Sequence, residues 1–181
     1  MVTQTFGFAF QWNISAFHRA AHEVSCVAMH VLESKIPPPV LAALVALLMW
    51  LASRWAPAFA FVIPSHGLIS AGLVLLGPAI AISGVVSFRR VKTTVNPTKP
   101  GNATTLVVSG IYKFTRNPMY LGLCLVLLAW TVFLSNALAL PLILAFVAYM
   151  NRFQIGPEER ALASLFPNEF AAYKARVRRW L

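Results

Sequence analysis

Four apolar runs, over residues 40–56, 66–88, 119–134 and 137–153, constrain this chain more tightly than anything else in it. Only Ser135-Asn136 separates the last two. A helix of roughly 17–25 apolar residues crosses a ~30 Å hydrocarbon layer and satisfies its own backbone hydrogen bonds on the way. The chain has 181 residues, 59% of them hydrophobic and 11% charged, which is outside the range of soluble globular domains. The expected fold class is therefore all-α: a polytopic membrane protein with four transmembrane helices (five at most), a helical hairpin and a cytoplasmic C-terminal helix.

Local signals set the boundaries of these runs. Pro37-Pro38-Pro39 breaks any preceding helix and opens the first span, and Trp50 and Trp55 lie near its far end, where aromatic rings favour the interface. Residues 57–64 form a short loop. In the second span Gly67, Ala71, Gly72, Gly77, Ala81, Ser83 and Gly84 allow close helix approach, and Pro78 predicts a kink. Arg89-Arg90 ends that span. Asn96-Pro97 and Lys99-Pro100-Gly101-Asn102 mark a loop in the long connector that follows. The hairpin comes next, with Pro141 early in its second arm. Gly156-Pro157-Glu158-Glu159-Arg160 predicts the start of a soluble helix whose apolar face is Ala161, Leu162, Leu165, Phe166, Phe170 and Tyr173.

Charge gives the orientation. With four spans both termini share one side, and so do fourteen of the fifteen Lys and Arg; Arg54 alone lies opposite. That side is expected to be cytoplasmic. The net charge of +10 flanks apolar spans rather than forming a stripe on a soluble domain, so lipid headgroups are expected as its counter-charge and nucleic acid is not.

Residues 1–35 carry helical apolar spacing from Ile14 to Leu32 and are expected to form an interfacial extension, without the features of a signal peptide. His18, His22, Cys26 and His30 recur every four residues. Each such step drifts by about 40° on a helix, so at most neighbouring pairs share a face. Two ligands do not close a transition-metal site, and no metal is expected. Cys26 and Cys124 imply no disulfide framework.

Chemistry concentrates in residues 104–120 and in the acidic pair. All five acidic residues are glutamates, and Glu158 and Glu159 are adjacent. Gly110 permits a tight or left-handed turn, and Pro118 suits a helix start. Tyr112, Arg116, Asn117 and Tyr120 then surround a helix N-terminus, where anions are favoured. The hairpin returns Glu158 and Glu159 to this level. Arg116 and the backbone amides would suit an anionic group, and Glu158 an ammonium, a sulfonium or ribose hydroxyls. S-adenosylmethionine (SAM) presents that zwitterionic, nucleoside-like chemistry. Equally, the glutamates could serve only the helix dipole and Arg116 could only snorkel; residue chemistry leaves both readings open.

The ordered set Gly110-Ile111-Tyr112, Arg116-Asn117-Pro118-Met119-Tyr120, the hairpin, Glu158-Glu159, Leu165-Phe166, Phe170 and Tyr173 resembles the isoprenylcysteine carboxyl methyltransferase and phospholipid methyltransferase group of integral membrane enzymes. The resemblance covers residues 89–179. It implies a cytoplasm-facing SAM pocket lined by Thr104, Thr105, Leu106, Val107, Tyr112, Arg116, Asn117, Pro118, Met119, Tyr120, Glu158 and Glu159. A lipidic or small hydrophobic acceptor would enter from the bilayer, with Tyr120, Arg152 and Gln154 nearest the chemistry. Two positions depart from the group. Asn117 stands where a His is usual, and Gln154 stands where the prenylcysteine enzymes carry an Arg, with Arg152 two residues earlier.

The implied organisation is an extension (1–35), a two-span scaffold (36–88) and an integrated cofactor-binding unit (89–181). Two alternatives compete with a SAM-dependent methyltransferase: an NADPH-dependent membrane reductase of the sterol-reductase type, using Lys99, Lys113 and Arg116 for a 2′-phosphate, and a non-catalytic membrane scaffold.

Overall fold

The computed structural model describes residues 36–90 and 105–181. The extension 1–35 with its histidines, the loop signals of 91–103 and Thr104 lie outside the described residues. All named elements are helical. Helix α1 (Pro38–Trp55) starts within the proline triplet, where the missing N–H groups would have had no partner. Helix α2 (His66–Arg90) contains Pro78 in its interior and ends on the arginine pair. Helices α3 (Pro118–Leu134) and α4 (Ala139–Tyr149) form the expected hairpin. Helical structure then runs on without a break from Ala139 to Leu165. Three helices, Pro38–Trp55, His66–Arg90 and Ala139–Leu165, are long and apolar enough to cross a membrane, whereas Pro118–Leu134 is a shorter apolar helix.

The hairpin turn is fixed by its two polar residues. Ser135 takes a left-handed conformation (φ 48°, ψ 45°) and ends α3. Asn136 is buried: its amide donates to the Ala56 carbonyl at 3.1 Å, and its side-chain oxygen accepts from the Leu138 N–H at 3.0 Å. An antiparallel bridge between Ala60 and Asn136 completes the joint between the α1–α2 loop and the hairpin.

Two apolar clusters organise the interior. The larger joins α1, α3 and α4 through Met49, Leu127, Ala139, Phe146, Met150 and Ile155, and Tyr120 belongs to it. Helix α2 packs along α3, where Gly77 and Gly122 meet so closely that a Cβ on Gly122 would lie 2.5 Å from the Gly77 carbonyl oxygen. The smaller cluster joins Val107 and Tyr112 of the connector to Phe170 and Tyr173.

Two expectations for the region after the hairpin need correcting. Gly156-Pro157 begins a helix, with Pro157, Glu158 and Glu159 in its first turn as expected, but that helix is not detached from the hairpin. Residues Met150–Ile155 form a wide π turn, in which the Gly156 N–H reaches the Asn151 carbonyl five residues back, and α5 (Gly156–Leu165) continues from it. Pro157 has no N–H for the usual four-residue bond, and the wider register absorbs that loss. The apolar face from Ala161 to Tyr173 is not one helix either. Phe166 (φ −132°, ψ 61°) breaks it, and Pro167 opens α6 (Pro167–Arg176).

Candidate functional site

The connector approaches the bundle through a tight turn at residues Gly110–Lys113. Gly110 has φ +62°, and a Cβ there would sit 2.8 Å from the Ser87 hydroxyl oxygen, so both conformation and space require glycine. The turn stacks Tyr112 edge-on against Phe88 of α2, with ring centroids 5.4 Å apart. From the other side the Tyr173 hydroxyl donates to the Tyr112 carbonyl at 2.7 Å. Burial pushes the Tyr173 hydroxyl up to about 12 against the opposing pull of Arg116. Burial, Tyr173 and Glu158 raise that of Tyr112 still further, so both phenols stay protonated.

Pro118 then starts α3 and sets Tyr120 in its first turn. The Tyr120 hydroxyl donates to Glu158 Oε1 at 2.5 Å. The Gln154 amide donates to the same oxygen at 2.7 Å and reaches the Tyr120 hydroxyl at 3.3 Å. Gln154 and Glu158 face Tyr120 together from the wide turn and the first turn of α5.

Beside this trio lies a charged set. Arg116 Nη2 is 3.0 Å from Glu159 Oε1, with only 9% and 12% of the two side chains exposed. The Nε and Nη1 atoms of Arg116 are buried and have no hydrogen-bond partner among the described residues. A buried guanidinium with unmade bonds is costly, which is the condition a bound anion would relieve. Glu159 is also gripped by Arg179, whose Nε donates to Oε1 at 3.1 Å and Nη2 to Oε2 at 2.6 Å.

The segment after α6 laces across the start of α3. The Arg178 carbonyl accepts from the Arg116 N–H at 3.1 Å. The Arg179 carbonyl accepts from the Asn117 side-chain amide at 2.9 Å and from the Thr115 hydroxyl at 3.4 Å. Asn151 Oδ1 receives both the Trp180 indole N–H at 3.0 Å and Arg179 Nη1 at 3.4 Å.

The structure thus brings Arg116, Asn117, Pro118, Met119, Tyr120, Gln154, Glu158 and Glu159 to one region. Tyr112 lies near enough for Glu158 to influence its hydroxyl. Val107 is buried against α6, Leu106 is half-buried and Thr105 is exposed. Arg152 is exposed on the wide turn. Asn117, at the position where the resembling group has His, holds backbone with its side chain. Thr115, Asn151, Arg179 and Trp180 were not singled out by the sequence reading. Arg179 looks there like one more cation in a basic tail, and Thr115 and Asn151 carry no signal.

Fold and site together define a helical membrane protein whose hairpin base presents a hydrogen-bonded carboxylate beside an incompletely paired guanidinium, a combination complementary to a zwitterion. Residues 66–169 match the family model described as phospholipid methyltransferase, and the chain belongs to that family. Membership implies a membrane methyltransferase. The chain is also 51% identical, over 63 residues, to an uncharacterized protein of Haemophilus influenzae (strain ATCC 51907 / DSM 11121 / KW20 / Rd), a match that spans 35% of this chain and all of that protein. No solved structure matches it.

Proposed function

We propose that the chain is a SAM-dependent methyltransferase that transfers a methyl group to a lipidic or small hydrophobic acceptor, at a site on the cytoplasmic side of the membrane. The orphaned Nε and Nη1 of Arg116, buried beside the Tyr120–Gln154–Glu158 trio, carry this reading. They fit the carboxylate of SAM, and the Glu158 carboxylate fits its ammonium or ribose hydroxyls. Tyr112, Pro118 and Met119 would close around the remainder. When bound, SAM supplies an electrophilic methyl on a sulfonium, which passes in line to a nucleophile with loss of the thioether.

The work left to the chain is alignment and exclusion of water. Tyr120 and Gln154 fix the orientation of the Glu158 carboxylate through hydrogen bonds to one of its oxygens. Arg116 is buried, so its charge acts in a poorly screened setting. Asn117 has no titratable group, and its amide is committed to the Arg179 carbonyl. An acceptor that reaches the site already able to attack, such as a carboxylate or a deprotonated amine, suits this arrangement. The acceptor would come from the apolar side of the hairpin, where membrane lipids surround the helices.

Equilibrium binding of SAM and of NADPH to the protein in nanodiscs tests the reading. SAM binding in the micromolar range is expected, weakened at least ten-fold by Glu158→Ala because a charge-assisted bond contributes roughly 1.5–3 kcal/mol. NADPH binding without SAM binding would identify a reductase instead, and binding of neither would identify a non-catalytic scaffold.

A further inference from the structure

Glu159 has two oxygens, and how they are shared decides what Arg116 can do. Arg179 occupies both, at 3.1 and 2.6 Å, and leaves Arg116 a single contact of 3.0 Å on Oε1. An arginine and a carboxylate left to themselves favour the two-point fork, with two parallel N–H bonds. Were Arg179 absent, Glu159 could offer Arg116 that fork. The guanidinium would turn towards Glu159, and a second of its N–H groups would be consumed. The carbonyls of Arg178 and Arg179 meanwhile hold the backbone of Arg116 and the side chain of Asn117. Asn151 fixes the other edge of the Arg179 guanidinium and the neighbouring Trp180. Arg179 also lies beyond the residues 66–169 that match the family model.

We propose that Arg179 is a positioning residue of the cofactor site: by taking both oxygens of Glu159 it denies Arg116 a two-point partner and keeps Arg116 Nε and Nη1 open for the carboxylate of the bound cofactor. The inference rests on the SAM reading above. It makes Glu159 a shared anchor between two arginines and moves its role from contacting ligand to setting Arg116.

The test compares SAM with decarboxylated SAM, which keeps the sulfonium, the amine and the nucleoside and lacks only the carboxylate. Both are titrated into the full chain in nanodiscs, unsubstituted and as Arg179→Ala and Arg179→Lys. Lysine keeps the charge, for the case in which alanine fails to fold, but it cannot span both carboxylate oxygens. Arg179→Ala is expected to weaken SAM about ten- to hundred-fold, the worth of a charge-assisted hydrogen bond. Decarboxylated SAM is expected to shift by less than about three-fold, since it never uses the bond in question. Arg179→Lys is expected to show the same selective loss. Equal losses for the two ligands would make Arg179 a general structural prop and overturn the proposal, as would SAM binding unchanged in both variants. An unsubstituted chain that binds neither ligand overturns the SAM reading itself, and the proposal with it, before any variant is compared.

Discussion

Gly122→Ala should separate the two helices that hold the connector side of the site. A Cβ at residue 122 would lie 2.5 Å from the Gly77 carbonyl oxygen, 2.8 Å from the Ala81 Cβ and 3.2 Å from the Ala81 nitrogen. Ordinary contact begins at 3.4 Å, so the closest pair falls short by about 0.9 Å. Two of those three neighbours are backbone atoms, which cannot turn aside as a flexible side chain can. Relief requires α2 and α3 to move apart by an amount of that order along much of their length. Overpacking of this kind costs typically about 1–3 kcal/mol, and backbone opposition argues for the upper half. Gly72→Ala is the matched control, because no neighbouring helix among the described residues comes within 4 Å of its Cβ and alanine gains helix propensity. Both variants would be unfolded in mixed micelles by titration with sodium dodecyl sulfate, followed by tryptophan fluorescence. Trp130 reports well, since its indole N–H is bonded to the Ala46 carbonyl and is released when the helices part. Gly122→Ala should lose about 2–3 kcal/mol and Gly72→Ala none. Equal stability of the two would refute the close-approach argument.

Asn136→Leu should cost about 1–3 kcal/mol in the same assay, because the Ala56 carbonyl and the Leu138 N–H lose their partners inside the joint; stability within error of the parent would count against that role. The raised Tyr173 hydroxyl contributes stability that is fully present below about pH 10 and lost as pH rises through about 12, because the unfolded chain releases that proton first. Tyr173→Phe should therefore flatten the fall of stability between those values, and parallel alkaline slopes for parent and variant would contradict it.

The frame was legible where a residue has one physical use. Ser135-Asn136 between two apolar runs can only be a turn, Gly110 marks a left-handed position, and Pro118 opens a helix; each is found so. Two other prolines say less. Pro157 opens α5 as its position suggests, yet nothing around it signals that the preceding helix runs on into it through a widened turn, and Pro167 opens α6 inside an apolar pattern that continues across it. At the site, the chemistry of Arg116, Tyr120 and Glu158 could be anticipated from residue type and from the return of the hairpin. The partition of Glu159 between two arginines could not. It depends on a contact between residues 159 and 179 that no local pattern encodes, and on backbone carbonyls, which every residue carries alike.

The wide turn at Met150–Ile155 also has an angular consequence. Phe146 is buried in the larger apolar cluster, and Glu158 follows it by twelve residues. On an uninterrupted α-helix twelve steps would leave the two side chains about 120° apart, and Glu158 would point away from α3. Absorbing one residue in the widened turn reduces that offset to about 20°. The turn therefore works as a phase correction between two stretches of one rod: one stretch keeps its rotational setting against the lipid-embedded bundle while the other aims its carboxylate at Tyr120. At the same chain length an unbroken α-helix through this stretch would restore the larger offset and swing the carboxylate out of alignment with its phenol partner.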